Sequence, residues 1–231
     1  MKYFALLFSV FVISSCGSGD HYVENPLELM IGSMSAEKTF SVLLDDMDVK
    51  QDNCYHRYGI VKESQTGEIT TSKTEWLLVG RNFFNENEKN LGMQLASKDS
   101  AGVVSRAVIP AGYDRYIGNK RYGSWQESNG QSTWVFFGQY MFLRSMFGLG
   151  YYPAYYGRYN SYYTGYYGTG RSYYGGSYQG GNYYGTNSTI TKKSRSGFFE
   201  RKARNTNWKA SSSRSGSSRR SGRGGGFGFG K

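Results

Sequence analysis

The runs TFSVLLDDMDV (39–49), CYHRYGIVK (54–62) and ITTSKTEWLLV (69–79) decide the fold class. Each is rich in β-branched, aromatic and other apolar residues, which suit a pleated, half-buried surface. Gln65-Thr66-Gly67 is a turn signal between the second and third runs. Runs of this length joined by short polar turns predict an antiparallel meander.

Working outward, Pro26 precedes Leu27-Glu28-Leu29-Met30-Ile31 and predicts a short helix with proline near its start. Asn82–Leu91 reads as a short amphipathic helix stopped by Gly92. Met93–Ala96 and Val103–Val108 predict further strands, and Pro110 to Gly123 a long loop. Asn129-Gly130 between apolar runs is a hairpin signal, pairing Ser124–Gln126 with Thr133–Phe137. Gly138–Gly150 predicts a terminal core helix in preference to one lying on a membrane. Arg144 near its middle argues against a spanning segment. The expected architecture is α+β: a small, mainly antiparallel-sheet domain over 26–150 with a few short helices, followed by a long low-complexity disordered tail.

That tail has two parts. Residues 151–191 are Tyr/Gly-rich; within 151–185 there are 14 tyrosines, no acids and one alanine as the only aliphatic residue. The Tyr-Tyr pairs have uneven spacing, so the segment reads as low complexity rather than a solenoid, without the branched side chains that fill a core. Tyrosine offers a ring face and a hydroxyl, so such a segment suits lying along a surface, stacking on sugars or rings, or self-association. Residues 192–231 are Ser/Arg/Gly-rich. They hold 12 Lys and Arg against Glu200 alone, leaving 16 basic and 16 acidic residues in 1–191. The whole net charge of +11 therefore lies in this tail. Lys192, Lys193, Arg195, Arg201, Lys202, Arg204, Arg214, Arg219, Arg220 and Arg223 are the candidate residues for binding an anionic surface.

The N-terminus has the three parts of a secretory signal: Lys2, an apolar run from Tyr3 to Ile13, and small residues before a cut. The run is too short for a bilayer, which needs about 20 residues. Ile13-Ser14-Ser15-Cys16 resembles the lipobox of bacterial lipoproteins. The resemblance implies that residues 1–15 are a signal peptide, that Cys16 is the lipid attachment site, and that 16–25 are a tether to the membrane. Gly17 after the cysteine implies the outer membrane in that family's sorting logic. The closing Arg/Ser run and Gly-Gly-Phe-Gly also look like the C-termini of some uncharacterised envelope lipoproteins. With Cys16 acylated, Cys54 has no partner for an intramolecular disulfide and reads as a small apolar strand residue.

No catalytic residue, metal site or cofactor is assigned. Asp45, Asp46, Asp48 and Asp52 resemble the start of a calcium loop. Gln51 stands where glycine is needed and Arg57 where a bidentate glutamate belongs, so the cluster reads as a solvated strand end. His56 lies near Cys54 with no third ligand at zinc-like spacing. The expected function is a non-enzymatic envelope lipoprotein whose tail docks on anionic polymers or lipids. An envelope-polymer hydrolase and a self-assembling Tyr/Gly surface protein are the alternatives. The Arg/Gly/Phe tract would read as RNA-binding only in a chain that is not exported, so no nucleic acid is expected.

Overall fold

A computed structural model describes residues 23–150, 153–178 and 180–208. Helix α1 (Pro26–Ser33) starts as the sequence predicts: Pro26 sits in the first turn and the Asn25 side chain accepts from the Leu27 amide. Strands β1 (Thr39–Lys50) and β2 (Asn53–Glu63) form a hairpin whose two-residue turn places Gln51 at φ 55°. The third run splits into β3 (Ile69–Lys73) and β4 (Leu77–Val79), both paired with β2. At the break, the Thr74 hydroxyl accepts from the Tyr58 amide and takes the place of a ladder bond. Helix α2 (Arg81–Asn87) leads to β5 (Met93–Lys98), which pairs with the other side of β1 and with the short β6 (Val104–Ser105) and β7 (Ile109–Pro110). The seven strands form one antiparallel sheet in the order β3-β2-β1-β5-β6, with β4 alongside β3 on β2 and β7 alongside β6 on β5, as expected of an α+β domain.

β1 is central and covered on both faces. Phe40, Val42 and Leu44 point into one core; Leu43 points into the other. Between Leu44 and Asp46 the register with β2 shifts by one residue. The extra residue, Asp45, is a β-bulge, so Met47 and Val49 return to the first face despite the odd step. The first core is closed by α1, α2 and the C-terminal Phe198 and Trp208. The second is closed by the loop after β7, by the hairpin of β8 (Gly123–Ser128) and β9 (Gln131–Phe136), and by the segments that follow. Asn129 and Gly130, at φ 51° and 72°, make the primed two-residue turn that the Asn-Gly pair predicts. A 3-10 turn (Gly138–Tyr140) and α3 (Met141–Met146) then bury Leu143 and leave Met141 and Phe142 partly exposed.

The folded unit does not end at residue 150. Ala154, Tyr162 and Tyr173 are buried in the second core, and Phe198 and Trp208 in the first. Helix α4 (Tyr156–Gly165) is docked by a bond from the Trp134 amide to the Ala154 carbonyl. The short pair β10 (Ser177–Tyr178) and β11 (Gly181–Asn182) turns the chain back, and Thr186 caps the α2 exit loop by donating to the Glu88 carbonyl. Helices α5 (Thr189–Ser194) and α6 (Ser196–Arg204) complete the described chain. The boundaries expected at 150 and 191 are therefore corrected, for a physical reason. Tyrosine rings substitute for branched aliphatic side chains, and their hydroxyls find partners: Tyr113 with Tyr184 at 2.5 Å, Tyr173 with the Arg158 carbonyl at 2.9 Å, Tyr174 with Asn90 at 2.8 Å. Residues 209–231 and Cys16 lie outside the described residues.

Candidate functional site

A cavity of about 880 Å³ opens between the β8–β9 hairpin, the loop after β7 and helix α4. Tyr113, Tyr116 and Ile117 anchor that loop in the second core, which leaves Asp114, Arg115 and Gly118 to Lys120 facing the cavity. Trp125 and Trp134 are directly opposed across the hairpin and therefore share a face; their rings meet at 5.1 Å. On α4, Tyr159 and Tyr163 are four residues apart, and Tyr167 continues the row past the helix end. The rings are near parallel, 5.9 Å and 5.3 Å between centroids. Tyr159 lies over Gly118, where a Cβ would come within 2.3 Å of the ring at a backbone φ of +80°. Trp125 meets Tyr156 and Tyr159 at 5.1 Å and 5.4 Å and joins the two walls. Tyr156, Tyr163 and Tyr167 remain about half exposed.

The floor is polar. Gln94 donates to Asp114 Oδ2 at 2.8 Å, and Arg115 Nη1 donates to the Lys98 carbonyl at 2.6 Å. Asp114 Oδ1, Arg115 Nε and Trp134 Nε1 are buried and have no hydrogen-bond partner among the described residues. Burial pushes the Asp114 carboxyl above its ordinary range, and the bonds from Ser97 and Gln94 and the charge of Arg115 offset this only in part. A carboxyl raised by folding adds stability below its ordinary pKa of about 3.9, and that contribution is lost as pH rises through the raised value. Asp114→Asn is thus expected to gain stability over the wild type from pH 4 to pH 7. Thermal denaturation of both proteins at the two values measures it; a pH-independent difference contradicts the assignment.

A second polar centre lies at the bulge of β1. Asp45 and Asp46 are buried, 4% and 8% exposed, so the expectation of a solvated strand end is corrected for both. The bulge breaks the alternation of side chains, and Arg57 reaches both carboxylates, at 2.9 Å and 3.4 Å. Lys73 and Arg195 also pair with Asp45, at 3.0 Å and 3.1 Å, and Arg201 with Asp46 at 2.6 Å. Arg195 donates in addition to the Asp45 carbonyl. Burial raises the Asp45 carboxyl, but the charges and hydrogen bonds of Arg195 and Lys73 outweigh it and hold it below its usual range. Glu88 accepts from Lys202 at 2.6 Å and from the Trp208 indole at 3.0 Å.

Of the candidate tail cations, then, Arg195, Arg201 and Lys202 face the protein's own carboxylates. Arg204 pairs with Glu200 at the surface, and Lys192 and Lys193 are exposed on α5. Arg214, Arg219, Arg220 and Arg223 lie outside the described residues. Cys54 is a buried residue of the first core, and neighbouring His56 is buried against Tyr58, Phe83 and Phe84. Its imidazole is pushed down to about 3 by burial, so it stays neutral at ordinary pH. Among the described residues no cluster of three His, Cys, Asp or Glu could hold a metal, and no helix is long and apolar enough to cross a membrane.

No protein family, no curated protein and no solved structure matches this chain. The cavity itself escapes sequence reading, because its walls come from residues 114–125, 134–137 and 156–167. The one local trace was the four-residue spacing of Tyr159, Tyr163 and Tyr167.

Proposed function

We propose that this chain is a lipid-anchored envelope protein, held to the outer membrane through Cys16, that binds its ligands rather than transforming them and docks on anionic envelope material through its basic end. The observation that carries this reading is the charge beyond the described fold. Residues 209–231 hold six Lys and Arg and no acid. Arg195, Arg201 and Lys202 are engaged inside the fold, so the docking role falls to Arg214, Arg219, Arg220 and Arg223, together with the exposed Lys192 and Lys193 on α5. Near an anionic surface each such cation contributes about 1 kcal/mol, and salt screens it. Ligand binding is supported by the aromatic cavity lined by Trp125, Trp134, Tyr159 and Tyr163.

The test is co-sedimentation of the full chain and of R214S/R219S/R220S/R223S with anionic vesicles and with cell-wall sacculi across a salt series. Wild-type binding is expected to fall with salt, and the variant to bind about 10-fold or more weakly at low salt. Equal binding by both proteins removes the tail from the mechanism.

A further inference from the structure

We propose that the aromatic cavity between α4 and the β8–β9 hairpin is a binding groove for a glycan chain. The groove volume, about 880 Å³, falls in the range of ligand sites, roughly 300–1,000 Å³. Its walls and floor differ in chemistry, and the ligand must match both. The walls are aromatic, with Tyr156, Tyr163 and Tyr167 about half exposed and Trp125 across from them. A pyranose ring with equatorial hydroxyls presents a flat C–H face that packs on such rings. The rim carries Asn119, Lys120 and Asn160, all exposed; the two amides both donate and accept and the lysine donates around the edge of a sugar.

The floor narrows the choice. Its three unpartnered polar atoms include donors, Arg115 Nε and Trp134 Nε1, and an acceptor, Asp114 Oδ1. These three atoms are covered and meet a ligand only after a shift of the side chains above them. A buried polar atom without a partner is costly, so such a shift favours a ligand that brings both kinds of group to the floor, directly or through water. A hydroxyl donates and accepts at once. An acyl chain satisfies none of the three atoms. A phosphate polymer offers acceptors to the two donors but no group that donates to Asp114 Oδ1. A polyhydroxyl chain is the class that fits walls, rim and floor together.

The groove uses no residue after Trp208, so this inference stands apart from the docking role of the tail and fails or holds separately. The experiment is calorimetric titration of the full mature chain with a linear hexamer of β-1,4-linked N-acetylglucosamine, followed in parallel by the fluorescence of the tryptophans. The variant is Y163A/Y167A, which removes half-exposed rings; its melting temperature checks that the fold is kept. Saturable binding by the wild type is expected, with a loss of roughly 10-fold or more in the variant. N160A, which touches no core, is expected to weaken binding by a smaller factor. Absence of binding heat and of a fluorescence change at millimolar hexamer overturns the proposal. So does a folded Y163A/Y167A variant that binds as the wild type does. Sedimentation showing that the wild type dimerises and Y163A/Y167A does not, with no hexamer bound by either, assigns the groove to a second copy and likewise overturns it.

Discussion

A chain ended at Gly150 is expected to lose cooperative unfolding. The cut removes Tyr162 and Tyr173 from the second core and Phe198 and Trp208 from the first. A fully buried side chain of this size contributes about 1.5–3 kcal/mol, so four contribute roughly 6–12. A domain is stable by only about 5–15 kcal/mol. The cut also uncovers the faces these rings seal: Phe84 loses the edge contact with Trp208 at 5.2 Å, and Tyr113 loses Tyr162 at 5.8 Å. Phe198→Ala in the full chain isolates one part of the effect and is expected to cost about 3–5 kcal/mol. Urea unfolding followed by near-ultraviolet circular dichroism measures both. A 1–150 fragment with a single steep transition would show that the first two thirds form the folding unit, and that the tyrosine segment merely lies upon it.

Asp45→Ala is expected to cost about 2 kcal/mol at neutral pH. Removing one partner of a fully buried pair costs about 3–5 kcal/mol, because the remaining charge is stranded. Here the side chains of Arg57, Lys73 and Arg195 keep 32%, 53% and 22% of their exposure, and water recovers part of the loss. The pH dependence has a definite sign. The Asp45 carboxyl is held below its ordinary value in the folded chain. Its contribution is complete above the unfolded pKa of about 3.9 and disappears as pH falls through the lower folded value. The gap between Asp45→Ala and wild type should therefore close in acid, the opposite trend to Asp114→Asn, whose gain grows as pH rises. Chemical denaturation at pH 7 and in strong acid measures the gap; a difference that stays constant would assign Asp45 a packing role at the bulge rather than an ionic one.

Local signals carried the strands and turns. Asn129-Gly130 produces its hairpin because two positive φ values suit few other residues. Pro26 opens a helix because its missing amide is needed by no carbonyl there. The β1–β2 runs pair because their apolar positions repeat with the pleat. The bulge at Asp45 was not legible, since one inserted residue leaves the local composition of a strand unchanged. It is nevertheless what turns an acidic cluster that reads as solvated into a buried hub for Arg195 and Arg201.

The amino-acid sequence by itself determined the antiparallel α+β class, the positions of most strands and turns, and the confinement of net charge to the last forty residues. Each of these depends on spacing or charge within a few residues along the chain. Only the tertiary structure decided that the tyrosine-rich stretch is part of the core, that three of the tail's cations are spent inside the fold, and that Asp114, Trp125, Trp134 and Tyr163 line one groove. Those outcomes depend on what a ring or a guanidinium meets across the fold, up to 155 residues away in the chain, and composition is blind to the partner at that distance.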